Sequence, residues 1–162
     1  SFIFTETASK TALYNNGSIS REELRGHPVL VQFWAASCPA CKVNMPRVLE
    51  FEKTYADQGL RVISVHLPRL PSDKEMDRVQ ALVKELGMTG PCAIDNDETI
   101  GKAFQTQGMW PSYFFFDADG KMRSRAAGGL GLKIAENSLV RLLNQKRTEE
   151  TVSGASALAG SR

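Results

Sequence analysis

The chain has 162 residues, 42% of them apolar by a broad count and 23% charged, with 20 Lys+Arg against 18 Asp+Glu for a net charge of +2. That length supplies one hydrophobic core without metal or disulfide staples, and the near balance of scattered charges excludes nucleic acid or another polyanion as the partner. No run approaches the roughly 20 apolar residues of a membrane span, and Ser1 opens no leader-like segment, so the chain reads as soluble, and any native membrane anchor would lie outside it.

Residues 1–18 have mixed polarity, with Phe2, Ile3 and Phe4 together and Asn15-Asn16-Gly17 as a turn signal; they are read as an edge strand or a loose extension. Ser20 and Glu23 form a capping-box pair for a short helix over 20–25. Residues 29–34, Val-Leu-Val-Gln-Phe-Trp, suit a central strand covered on both faces. A helix follows over 39–55, with Pro39 in its first turn, Val43, Val48, Phe51 and Tyr55 on one face, and a kink expected at Pro46. Gly59 ends it, and 60–66 is a second strand.

Ser72 and Glu75 make a second capping-box pattern, after which Met76, Val79, Leu82, Val83 and Leu86 fall at helical spacing until Gly87. A shorter helix is expected over 95–104, with Ile100 and Phe104 four apart. Strands at 112–116 and 121–126 flank Asp117-Ala118-Asp119-Gly120, a hairpin signal. The last helix, 134–143, turns Ile134, Leu139, Leu142 and Leu143 inward. Residues 148–162 carry too little bulky apolar surface to offset the entropy of ordering, so a disordered tail is expected after a single domain over 1–147. A βαβ unit followed by a ββα unit gives an α/β fold, a mixed central sheet with helices on both faces. The turn after Trp34 then lies at the carboxyl edge of the sheet, where α/β sites cluster.

Three cysteines cannot form a disulfide scaffold; they leave one close pair, Cys38 and Cys41, and a distant Cys92. Closing so small a loop removes little entropy from the unfolded chain, so the pair points to chemistry rather than stapling. Exchange needs a thiolate, and a free cysteine with pKa about 8.5 is only about 3% ionised at pH 7. At a helix N-terminus the unpaired N–H groups and the macrodipole favour the anion; a pKa of about 7 would correspond to roughly 2 kcal/mol of preferential stabilisation. Cys38, at the cap and expected to be exposed, is the attacking thiol, and the partly buried Cys41 one turn in resolves the mixed disulfide. Pro39 fixes the first turn and Ala40 adds neither charge nor bulk. Lys42 is read as part of a solvated face. Zinc would need two more ligands from Cys92, His27 and His66, with no second CxxC, so neither metal nor cofactor is expected.

The run Phe33-Trp34-Ala35-Ala36-Ser37-Cys38-Pro39-Ala40-Cys41-Lys42 with Met45-Pro46 resembles the thioredoxin-like proteins of the TlpA/ResA type, whose usual form is FWAxWCPxCxxEMP. The likeness continues through residues 62–66, 93–97 and 110–120 and covers about residues 18–145. The stretch Val65-His66-Leu67-Pro68-Arg69 is similar to thioredoxin-like domains of DipZ and NHL-repeat proteins. The resemblance implies a thioredoxin fold, a cis Pro111 facing the dithiol and shaping a substrate groove, and Trp34 and Trp110 bordering it. It also implies protein disulfide or dithiol substrates, an upstream thiol donor, and work outside the cytoplasm, cytochrome c maturation included, with the cytoplasm as the alternative location.

Several residues depart from the pattern. Ser37 stands where the family usually has Trp. Gln32 occupies the place of a buried Asp that serves the resolving thiol in thioredoxins, and Leu67-Pro68-Arg69 stands where some ResA-like proteins carry a Glu. The sequence therefore identifies no residue as the proton acceptor for Cys41, and water is the simplest candidate. Cys92 is read as a buried structural thiol, and His66 as a structural histidine rather than a proton carrier. The leading reading is a disulfide reductase; a disulfide oxidant or isomerase and a non-catalytic binding module are the alternatives.

Overall fold

The computed structural model describes residues 13–14 and 20–160, so the readings placed on Phe2, Ile3, Phe4, Asn15, Asn16 and Gly17 lie outside the described residues. Among the described residues, six strands form one sheet: β1 (Leu13–Tyr14), β2 (Val29–Trp34), β3 (Arg61–His66), β4 (Cys92–Ile94), β5 (Ser112–Phe116) and β6 (Met122–Ala127). Five α-helices accompany them: α1 (Arg21–Leu24), α2 (Pro39–Tyr55), α3 (Met76–Glu85), α4 (Thr99–Phe104) and α5 (Gly131–Ala159). The spatial order is β1-β4-β3-β2-β5-β6. Strands β2, β3 and β4 run parallel, while β1, β5 and β6 are antiparallel to their neighbours. This is the expected mixed sheet with β4 added, and with β1 inside the segment read as an edge strand or a loose extension.

Strand alternation divides the core in two. Leu30, Trp34, Val62, Tyr113 and Phe115 pack with residues of α2, α3 and α5. Their neighbours Val31, Phe33, Ile63, Val65 and Phe114 pack with Ile100 and Phe104 of α4 and Leu24 of α1. Every residue of β2 is buried, which is why that strand reads as a nearly continuous apolar run.

Helix ends follow local chemistry, with one correction. At α1 the reciprocal bonds form: Ser20 N–H donates to Glu23 Oε2 at 2.6 Å and Glu23 N–H donates to Ser20 Oγ at 3.2 Å. A 3-10 turn and then Gly59, at φ 87°, close α2. Before α3, however, Ser72 does not cap. Pro71 opens a 3-10 turn, Pro71–Lys74, that draws Ser72 inside it, and Glu75 becomes the capping residue of α3.

Two inward faces are corrected as well. Val43 is 76% exposed, because the buried stripe of α2 is Cys41, Asn44, Met45, Val48 and Phe51. A polar member, Asn44, disguised that stripe: its amide donates to Tyr113 Oη at 3.2 Å and to the Gly129 carbonyl at 3.0 Å. Ile134 is 48% exposed, since α5 turns Gly131, Leu132, Ala135 and Leu139 inward. A Cβ on Gly131 would lie 2.8 Å from Tyr113 Cδ2 and 3.1 Å from the Ala126 carbonyl oxygen. Gly131→Ala will therefore destabilise the fold by about 1–3 kcal/mol through overpacking, read as a lower urea midpoint at unchanged slope.

The expected disordered tail is also corrected. Helix α5 continues to Ala159, with residues 148–159 exposed. Once a helix is nucleated against a core, each further residue adds a hydrogen bond without a new nucleus. No proline interrupts this stretch, and Thr148 and Thr151 hydroxyls donate back to the Asn144 and Arg147 carbonyls at 3.0 and 2.8 Å. Among the described residues no helix is long and apolar enough to cross a membrane.

Candidate active site

The chain leaves β2 at Trp34, turns through Ala35-Ala36-Ser37 and enters α2 with Cys38 as its capping residue, at φ −94° and ψ 106°. A capping side chain ordinarily accepts a hydrogen bond from an N–H of the first turn. Here the acceptor is sulfur: Cys41 N–H donates to Cys38 Sγ at 3.1 Å. The strand-to-helix turn thus aims a backbone dipole and the positive end of a 17-residue helix at the atom that must carry negative charge when reduced. Cys38 and Cys41 are joined in a disulfide with Cα atoms 5.3 Å apart.

Pro39 and Ala40, the first two helical residues, are exposed, as is Lys42. The sulfurs are more covered than expected. Cys38 is 3% and Cys41 2% exposed, so the attacking cysteine is not exposed in the disulfide state. The bond to Cys41 and the Cys41 N–H draw its sulfur over the first helical turn.

The turn before Cys38 is clamped from the end of β3 and the segment that follows it. Ala36 N–H donates to His66 Nε2 at 3.1 Å, Ser37 Oγ donates to Asp73 Oδ2 at 2.7 Å, and Arg69 Nη1 donates to the Ser37 carbonyl at 2.9 Å. Asp73 Oδ2 also accepts from the backbone N–H groups of Arg69 and Leu70 at 2.9 and 3.0 Å. Burial works to push the Asp73 carboxyl up, but the bonds from Ser37, Leu70 and Arg69, with His66 nearby, together hold it below its ordinary value. Asp73→Ala leaves three donors without their acceptor and will lower stability by about 1–3 kcal/mol, while Asp73→Asn, which keeps an acceptor oxygen, will cost less; urea denaturation compares them.

Beneath this turn, His66 is fully buried and stands edge-on to Trp34 with ring centres 4.8 Å apart. Because Nε2 accepts from Ala36, the ring is neutral with its proton on Nδ1. Burial pushes its pKa down to about 4, against a smaller opposing pull from Asp73. Cys92 is fully buried, and burial pushes its thiol up to about 12, although the Trp34 side chain and the His66 backbone pull it down, so it is unsuited to attack. Gln32, also buried, donates to Ser64 Oγ at 2.7 Å.

At the start of β5, where Ser112 pairs with Phe33 near the end of β2, the Trp110–Pro111 peptide bond is cis. Trp110 Nε1 donates to the Leu67 carbonyl at 2.9 Å, and the Pro111 carbonyl accepts from Gly128 N–H at 2.8 Å. Trp34, Cys38 and Cys41 share one buried cluster, and Trp110 is packed against it. Trp34 is fully buried and belongs to that core rather than to an exposed surface.

The redoxin family pattern matches residues 4–143. The chain belongs to the redoxin family. It is 39% identical over 129 residues to the thiol-disulfide oxidoreductase YkuV of Bacillus subtilis, covering 79% of this chain and 86% of that protein. It is 33% identical over 132 residues to protein DipZ of Mycobacterium tuberculosis, covering 82% of this chain but only 19% of DipZ. A solved thioredoxin-like protein in its oxidised form superposes with a TM-score of 0.73 at 37% identity, covering 83% of this chain and 89% of that one.

This redoxin is a thiol-disulfide oxidoreductase of thioredoxin fold, and its dithiol has the geometry exchange requires: a sulfur at a helix mouth and a second sulfur within bonding reach. Sequence reading missed Asp73 and the reach of Arg69. Asp73 lies in the polar run Ser72-Asp73-Lys74-Glu75, which carries the signature of a helix cap and no signal of burial.

Proposed function

We propose that this redoxin reduces protein disulfides outside the cytoplasm, cytochrome c maturation included, and that Cys38 attacks while Cys41 resolves. The Cys41 N–H donated to Cys38 Sγ at the mouth of α2 carries the assignment of the attack to Cys38, since it stabilises the sulfur most when it is a thiolate. The Cys38 thiolate attacks one sulfur of the substrate disulfide, the other sulfur leaves with the bonding electron pair and takes a proton from water, and a mixed disulfide forms. Cys41 then gives its proton to water and attacks Cys38 Sγ, releasing the second substrate thiolate and leaving Cys38 and Cys41 oxidised. Two electrons have moved to the substrate, and an upstream dithiol returns them. Water takes the Cys41 proton because the buried amide of Gln32 has no basic group to offer. Pro111 and Trp110 form the groove wall against which the substrate chain lies, and Pro39 and Ala40 form the surface it meets.

The reduction potential tests the direction. Equilibration with glutathione or dithiothreitol buffers is expected to give a value near that of thioredoxin, about −270 mV, whereas a value near about −120 mV would make the protein an oxidant.

A further inference from the structure

Arg69 is held at three points at the rim of the dithiol. Its backbone N–H donates to Asp73, its Nη1 donates to the Ser37 carbonyl at 2.9 Å, and its guanidinium carbon lies 5.9 Å from the centre of the Trp110 ring. The side chain thus spans the peptide that precedes Cys38 and the residue that precedes cis Pro111. None of these contacts neutralises its charge. Among the described residues the side-chain ion pairs are Lys102–Glu98 and Arg123–Asp117, and Arg69 belongs to neither. The residue is exposed, and a guanidinium offers five N–H donors in a planar fork that matches a carboxylate. An ordinary surface arginine samples many rotamers; this one is anchored while most of its donors remain uncommitted.

We infer that Arg69 is a specificity determinant that binds the carboxylate of an Asp or Glu flanking the reacting cysteine of the substrate. This rests on the disulfide-reductase reading above. A carboxylate there completes a fork whose orientation Ser37 and Trp110 have already fixed, so binding orders little that was mobile. Disulfide substrates bearing an acidic residue beside the attacked sulfur are the class it selects, and those bearing a lysine there are disfavoured.

Three disulfide-bonded peptides, identical except for Glu, Gln or Lys next to the attacked cysteine, provide the test. Each kcat/KM for reduction by the reduced protein is divided by the rate of the same peptide with dithiothreitol, which removes differences in intrinsic reactivity. Wild type is expected to prefer the Glu peptide over the Gln peptide by about tenfold, mainly through KM, as one charge-assisted contact allows. In Arg69→Met the ratio falls to near one, Arg69→Lys restores part of it, and Arg69→Glu inverts the order in favour of the Lys peptide. No preference in wild type would overturn the inference. So would an equal fall for all three peptides in Arg69→Met with a raised Cys38 pKa, which would place the arginine's action on the thiolate instead. Failure of wild type to reduce any of the peptides would overturn the reductase reading together with it.

Discussion

Cys38→Ser will abolish disulfide reduction, lowering kcat/KM on the order of a thousandfold or more, because no other sulfur can make the first attack. Cys92 is fully buried with its thiol held protonated, and Cys41 lies one turn inside the helix. Cys41→Ser will behave differently. It retains the nucleophile, so a single encounter proceeds to the mixed disulfide and stops there, and the adduct accumulates as a mass increment on Cys38 under non-reducing conditions. Cys92→Ser will turn over at the wild-type rate. Substantial turnover by Cys38→Ser would refute the assignment of roles to the two sulfurs.

Acid will weaken the fold in a window set by His66. Its imidazole has an ordinary pKa of 6.5 and is pushed down to about 4 by burial, so between those values the unfolded chain binds a proton that the native protein does not. Stability is therefore fully present above about pH 6.5 and falls as pH is lowered toward 4, by about 3 kcal/mol at 1.36 kcal/mol per pH unit. Asp73 acts elsewhere: its carboxyl is held below the ordinary 3.8, so its contribution is present above that value and lost only in stronger acid. Burial pushes the carboxyls of Glu52 and Asp95 up, which acts in the opposite sense, so the comparison that isolates His66 is with a variant. In His66→Gln, which can still accept from Ala36 N–H but cannot titrate, the loss between pH 6.5 and 4 will flatten. An unchanged slope in urea denaturation across that range would refute the role given to burial at His66.

How much of this was legible in the sequence depended on whether the signal was local. The Ser20–Glu23 cap, β2 and the Asp-Gly hairpin are set by residues in contact along the chain, and each formed where their chemistry placed it. The cysteine pair was legible because two residues and a helix start define its chemistry. One position in each of α2 and α5, Val43 and Ile134, was misread because Asn44, Gly131 and Ala135 are buried without being large and apolar, while Val48, Phe51 and Leu139 are buried as expected. Strand β4 has three residues, too few for an alternation to show. The clamp on Ser37 was illegible for a different reason: Asp73 lies 36 residues away, and only the fold brings its carboxylate to the Ser37 hydroxyl. A carboxylate in a polar loop normally reads as solvated, and its burial follows from donors that the sequence does not announce.

The central claim is that the Cys38 sulfur is made acidic by the helix it caps. It is tested most directly by the pH dependence of iodoacetamide alkylation in the reduced protein, with Cys38 identified as the modified residue by mass. A midpoint below about 8.5, the value of a free thiol, is the result this geometry predicts. A midpoint at or above that value would contradict it.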